Sequence, residues 1–152
     1  LDTLIDVWEN GEIVQIPMRD VEVGTQVVSG WQALTVKATK EGVVQQVIEI
    51  VTNGGKRLVC STSHRLITSI TDRRGKAASQ LLTGDSVLVD WDGIPRQEKI
   101  ISRTMHFGSF VVKSITLPAP HLYTTNGFIS HNTKEDPNPY QPGYNTAFEI
   151  VP

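Results

Sequence analysis

Leu122-Tyr-Thr-Thr-Asn-Gly-Phe-Ile-Ser-His-Asn-Thr133 is the stretch around which the chain is organised. Asn126-Gly127 is a two-residue turn signal, because the favoured hairpin turns need positive φ at their central positions. Phe128-Ile129 continues as a short apolar strand segment, and Ser130-His131-Asn132-Thr133 follows. This order gathers an imidazole, an amide and a hydroxyl about one peptide bond. An Asn side-chain amide can attack its own carbonyl carbon, closing a succinimide and breaking the bond to the next residue. Unaided, the step is slow, since the amide nitrogen is a poor nucleophile and the amine a poor leaving group. A neighbouring imidazole can donate the proton that the leaving nitrogen needs. Across the same bond, the Thr133 hydroxyl is a candidate acyl acceptor. Taken alone, the tripeptide reads as a polar loop after a strand.

A second stretch agrees with the first. Leu58-Val-Cys-Ser-Thr-Ser-His-Arg-Leu-Ile-Thr68 is an apolar run, a hydroxyl-rich turn ending in His64, and another apolar run. Together with Pro120-His121-Leu122-Tyr123 and the His131-Asn132 pair, it resembles the splicing blocks of inteins, the self-excising members of the Hint (Hedgehog/intein) superfamily. Ser61-x-x-His64 matches the family's Thr-x-x-His block with Ser for Thr. Val112 to Asn132 matches the last two blocks without a gap, with His121 on the upstream histidine and His131-Asn132 on the terminal pair.

The resemblance implies roles residue by residue. His64 would polarise or protonate the upstream scissile bond, with Ser61 helping to hold a strained amide. A histidine suits this because its ordinary pKa near 6.5 lets it exist in both protonation states near neutrality. His121 and His131 would assist the cyclisation of Asn132. Ser114 falls where most inteins carry Asp, and where one mechanistic class carries a nucleophilic Cys paired with a Thr after the terminal Asn. Thr133 fits that class; Leu66 does not, since Trp is expected there. A weak nucleophile, a replaced Cys and a hydrogen-bonding residue are all open readings of Ser114. Asp2-Thr3-Leu4-Ile5 matches the first block a few residues in, so the resemblance puts the leading residues of that block, with any upstream nucleophile, outside this chain. Cys60 does not replace it cleanly, because it precedes Ser61 on a strand and reads as a small core residue.

The remaining chain fits an all-β domain. Short Val/Ile/Leu/Thr runs are separated by Gly, Asn and Asp, with hairpin signals at Glu9-Asn10-Gly11, Ser29-Gly30 and Asn53-Gly54-Gly55. Strands are expected at Leu34–Ala38, Val43–Thr52, Arg57–Cys60, Arg65–Ser69, Ser86–Trp91, Lys99–Arg103 and Phe110–Ile115. Pro17–Val21 and Gly75–Leu82 suit short helical turns at most. Val23-Gly-Thr-Gln-Val-Val28 is echoed by Thr83-Gly-Asp-Ser-Val-Leu88, where the resemblance to the Hint horseshoe, with its pseudo-two-fold symmetry, implies two related halves. No stretch has room for a homing endonuclease, so a minimal intein is implied. The domain is assigned to residues 1–132. The Pro-rich residues 133–152 are assigned to the downstream extein.

Composition bounds the function further. The chain has 152 residues, 39% of them hydrophobic and 20% charged, which is one domain able to bury a core. Its net charge of −2 gives no electrostatic reason to expect nucleic acid or an anionic membrane as partner. One cysteine leaves no intrachain disulfide and suits a reducing, cytoplasmic setting. The partners implied are the flanking exteins of a monomeric chain, with a complementary split-intein fragment left open. No cofactor is implied. The activity would be single-turnover self-processing. Two rival readings are a β-rich binding module with structural histidines, and a metal site drawn from His64, His106, His121 and His131. The second lacks the usual short ligand spacing and an accompanying carboxylate, and His106 matches no block.

Overall fold

Turn chemistry sets the first pairing. Asn10 and Gly11 both take positive φ, 53° and 79°, and join β1 (Leu4–Glu9) to β2 (Glu12–Pro17) in the register Glu9↔Glu12. The coordinates are those of a computed structural model, which describes residues 3–91 and 94–132 and the backbone of 149–150. The same logic builds β3 (Gln26–Ser29) and β4 (Gln32–Thr35) about Gly30. Residues 53–56 join β5 (Ala38–Thr52) to β6 (Arg57–Ser61).

Two short strands follow, β7 (Arg65–Leu66) and β8 (Lys76–Ala77), then β9 (Ser86–Val89) and the long β10 (Arg96–Thr116). The chain returns through β11 (Leu122–Thr125) and β12 (Phe128–His131), and β13 (Glu149–Ile150) pairs with both β10 and β6. All pairings are antiparallel, and 3-10 turns at Met18–Asp20 and Ala78–Gln80 are the helical elements among the described residues. None of these is long and apolar enough to cross a membrane.

Two boundaries differ from those expected. Lys99–Arg103 and Phe110–Ile115 belong to one strand, β10, which accommodates Gly108-Ser109 by a register shift between Phe107 and Phe110. Similarly, β5 begins at Ala38 and runs through Lys40-Glu41-Gly42. Over residues 38–46 this ribbon is largely exposed. It therefore lacks the apolar alternation that marks a half-buried strand.

The internal echo is real and extends beyond the six matched positions. The N–H of Met18 donates to Thr3 O and that of Ala78 to His64 O, at 2.8 and 2.7 Å. Gly24 N donates to Val36 O as Gly84 N donates to Ile100 O. Thr25 N bonds Glu22 O as Asp85 N bonds Leu82 O, both at 3.0 Å. Even the side-chain contacts repeat: Thr25 Oγ1 accepts from Glu22 N, and Asp85 Oδ2 from Leu82 N. Gly24 and Gly84 share a φ of 96°, a left-handed conformation that glycine adopts at least cost. Two copies of one turn-and-strand unit thus give the fold its pseudo-two-fold character.

Each half has its own core. Ile48, Ile50, Leu58, Leu66, Leu81 and Phe128 are among the residues of one; Ile5, Val27, Val36, Ile115, Leu117 and Tyr123 are among those of the other. Strand β10 contributes Ile100 to the first and Ile115 to the second. Burying each such side chain is worth about 1.5–3 kcal/mol.

Candidate active site

The β11–β12 hairpin delivers the terminal residues to the interior. Asn126 and Gly127 have φ of 48° and 87°, as the Asn-Gly signal requires. Asn126 also pins the hairpin: its Oδ1 accepts from Leu4 N at 2.7 Å, and its Nδ2 donates to Arg57 O at 2.9 Å. Pairing then sets Tyr123 opposite Ser130 and Leu122 opposite His131. On its other side, β12 pairs Ser130 with Leu66 and His131 with Arg65. Phe128, Ile129, Ser130, His131 and Asn132 are all buried.

His64 reaches the same place from the other side of β7. The turn before it closes through His64 N to Ser61 O at 3.1 Å, and Ser79 N to Thr62 O anchors it to the second 3-10 turn. Ser61 is buried in this turn, and its hydroxyl lies 3.5 Å from that of Ser63. The His64 ring is completely buried. Its Nε2 lies 2.8 Å from Ser130 Oγ, and Ser130 Oγ lies 2.5 Å from Thr125 Oγ1.

His121 holds a left-handed backbone, φ 67°, which an L-residue with a Cβ adopts only at some cost. Two bonds fix it there: its N–H donates to Pro118 O, and its carbonyl accepts from Asn132 N at 2.6 Å. Its Nδ1 lies 2.9 Å from Leu117 O. A carbonyl only accepts, so Nδ1 carries the proton. The His121 and His131 ring centroids are 5.7 Å apart with planes inclined at 50°.

Asn132 is held at both ends of its carboxamide. Oδ1 accepts from the Leu117 N–H at 3.2 Å, and Nδ2 donates to the Ile115 carbonyl. The nucleophilic nitrogen is therefore ordered, and the group that would carry charge in the deprotonated amide meets a backbone donor. Ser114 is buried one residue before Ile115, with Lys40 opposite it on β5. Thr133 lies outside the described residues.

Burial controls the protonation of the site. Desolvation, with the nearby charge of His131 adding to it, lowers His64 to about 3. Desolvation, then the charges of His121, Arg65 and Arg74, lowers His131 to about 4 against an opposing pull from Asp72. Both imidazoles are thus neutral near pH 7, and any proton they donate comes from a neutral N–H. His131 Nδ1 is buried and makes no hydrogen bond among the described residues.

The structure therefore brings His64, His131 and Asn132 into one buried region, with the half-buried His121 beside His131 and Ser61 in the turn before His64. His106 lies apart, with its Nε2 2.9 Å from Glu49 Oε1. Cys60 is buried in the first core, in keeping with a packing role. Sequence reading missed Ser130 and Thr125. Their signal was strand alternation, which places both on the inward face shared by Tyr123 and Phe128.

No protein-family model matches the sequence, and no curated protein does. Solved structures do match. The chain is similar to a DnaB intein from Synechocystis sp. PCC 6803, with 20% identity and a TM-score of 0.72 over 86% of this chain and 94% of that one. It is similar to the gp41-1 intein at 20% identity and TM-score 0.70, over 87% of this chain and 95% of that chain. The MchDnaB-1 intein gives 23% identity and TM-score 0.68, over 87% and 98%. The fold is therefore the all-β Hint fold of the inteins, and the two related halves described above are its pseudo-two-fold repeat.

Proposed function

We propose that this chain is a protein-splicing element, a minimal intein, that cleaves the Asn132–Thr133 bond by cyclisation of Asn132. The observation that carries the reading is the grip on the Asn132 carboxamide by Ile115 O and Leu117 N, beside two histidines, in a fold shared with inteins. In the cleavage step Nδ2 bonds to the carbonyl carbon of Asn132 and gives up one proton. The bond from that carbon to the nitrogen of residue 133 breaks, and the departing nitrogen takes a proton. His131 and His121 are the groups assigned to these transfers. Holding the nitrogen in a near-attack position supplies much of the rate, since orientation of this kind can be worth about 7–11 kcal/mol.

In full splicing, an acyl group from the upstream junction reaches Thr133 before Asn132 cyclises, directly or by way of Ser114. The ester left at Thr133 then rearranges to a peptide bond. His64 and Ser61 serve the upstream bond. Residues 1–132 form the splicing domain and 133–152 the downstream extein, so the partners are the flanking segments of the same polypeptide. The activity is single-turnover.

The test is intact mass spectrometry of the full chain over days at neutral pH, beside Asn132→Ala. Loss of the mass of residues 133–152, leaving a C-terminal succinimide or Asn and absent from the variant, is the expected result. Equal loss from both proteins, or a different cleavage position, would overturn the assignment of Asn132.

A further inference from the structure

Beside the candidate site lies a place for one more strand. β6 and β10 each pair with β5 along one edge, Cys60 with Ile48 and Lys113 with Glu41. Their other edges face a common gap, which β13 fills. Glu149 pairs with Cys60 on one side and with Lys113 on the other, antiparallel to both strands. One residue reaches both edges, so the gap is a single strand wide. A strand edge presents a row of backbone N–H and C=O groups, and an extended segment can add to it through those groups.

The internal repeat identifies the segment that belongs there. Val36 O and Ile100 O accept the same bond, from Gly24 and Gly84. The same number of residues further along the two strands stand Gly42 and His106, which pair with Val112 and Val47. Val47 and Val112 are therefore equivalent. On the far edge, Val47 and Ile48 pair with Ser61 and Cys60 of β6, while Val112 and Lys113 pair with Ile150 and Glu149 of β13. So β13 stands to β10 as β6 stands to β5, and the Glu149–Cys60 pair joins equivalent residues, as a two-fold axis requires. In chain order, however, β13 is not the counterpart of β6. Met18 N donates to Thr3 O as Ala78 N donates to His64 O, so Thr3 is the counterpart of His64. Counting back from these, Ser61 answers to the position immediately before Leu1. The repeat thus reserves the place beside β10 for the residues that lead into Leu1, and a segment from the opposite end of the chain stands in it.

We infer that the gap between β6 and β10 is a docking place for the extended segment leading into Leu1, and that β13 occludes it. The two segments hold it by turns and never together. The inference rests on the splicing reading only for its consequence. Ser61 ends β6 and Ser114 adjoins Lys113 on β10, so an upstream bond reaches these residues only after β13 has left. β13 is displaceable, because it spans two residues against five in β6 and few ladder bonds hold it.

The test is NMR of the full chain carrying Asn132→Ala, which keeps residues 133–152 attached. Backbone NOEs from Glu149 to Cys60 and Lys113 are expected in this chain. A second chain carries the leader Arg-Leu-Val-Ser-Ser before Leu1, the sequence of β6 with Ser for its cysteine. There the Glu149 NOEs should vanish, the leader should gain NOEs to Cys60 and Lys113, and the amides of residues 149–150 should lose protection from hydrogen exchange. A control leader, Arg-Pro-Val-Pro-Ser, lacks N–H groups that a ladder needs and should leave β13 in place. Glu149 NOEs that are absent from the first chain, that survive the β6 leader, or that the proline leader removes as well would overturn the inference. None of these readouts needs cleavage at Asn132, so failure of the splicing reading and failure of the shared docking place are told apart.

Discussion

Asn132 and Leu117 are joined by a hydrogen bond of 3.2 Å from the Leu117 N–H to Asn132 Oδ1, both groups being buried. For the proposed cyclisation the bond would do two things. It stops rotation of the carboxamide, and it places a donor where negative charge gathers as Nδ2 loses its proton. Asn132→Asp separates these contributions from mere shape. The substitution is nearly isosteric but replaces a donor facing Ile115 O with a second acceptor. It should abolish the succinimide in mass spectra. It should also destabilise the protein by about 1–3 kcal/mol, the usual cost of a buried polar group without its partner, as read by urea denaturation. Unaltered stability would mean that the Ile115 contact contributes nothing.

The two depressed histidines make stability fall in acid. An unfolded histidine takes its proton near pH 6.5, whereas His64 and His131 in the folded chain resist until about 3 and about 4. Between 6.5 and those values the unfolded state binds more protons, so stability is fully present above pH 6.5 and is lost as pH falls. Each histidine contributes a loss of about 1.4 kcal/mol per pH unit within its window. Urea denaturation at pH 7, 6 and 5 should show this slope, and His131→Gln should reduce it. A slope unchanged by His131→Gln would show that the ring is not held neutral.

By its resemblance to the splicing blocks, Leu66 falls where Trp accompanies a Cys-dependent splicing class. Here it is fully buried in the first core and pairs with Ser130. A Trp at this site needs volume that the packed core does not have, so Leu66→Trp should lower stability by about 1–3 kcal/mol. It should also displace β12 and slow cleavage at Asn132. A variant as stable and as active as the parent would mean that the cavity adapts.

What the sequence made legible follows from where the information lies. Asn-Gly pairs at 10–11 and 126–127 announce their hairpins because turn conformation is a local property of those residues. The Val23 and Thr83 echo could be seen because glycine, turn hydroxyl or carboxylate, and following strand recur together. His64, His121, His131 and Asn132 stand out in the sequence by their imidazole and amide side chains, and the structure places them near one another. Ile115 and Leu117 could not be found, since they act on Asn132 through backbone C=O and N–H groups that any residue supplies. The exposed ribbon of β5 and β10 was cut into pieces for a related reason: with little to bury, it shows no period to read. Thr133 remains an expectation from the sequence.

The division of the interior into two cores bears on how this site would fail. His64 is carried between Leu66 and Ala78 of one core, while Asn132 is gripped beside Ile115 and Leu117 of the other. The groups of the proposed site therefore come from both cores, and β10 adds side chains to each. A shift of one half against the other would change the distance between His64 and Asn132. It would leave His121 and His131 beside Asn132, since His131 adjoins it in the chain and His121 O accepts its N–H. In the proposed scheme, a substitution that changes only how the halves sit together would therefore act on the upstream step through His64 and spare the grip on Asn132.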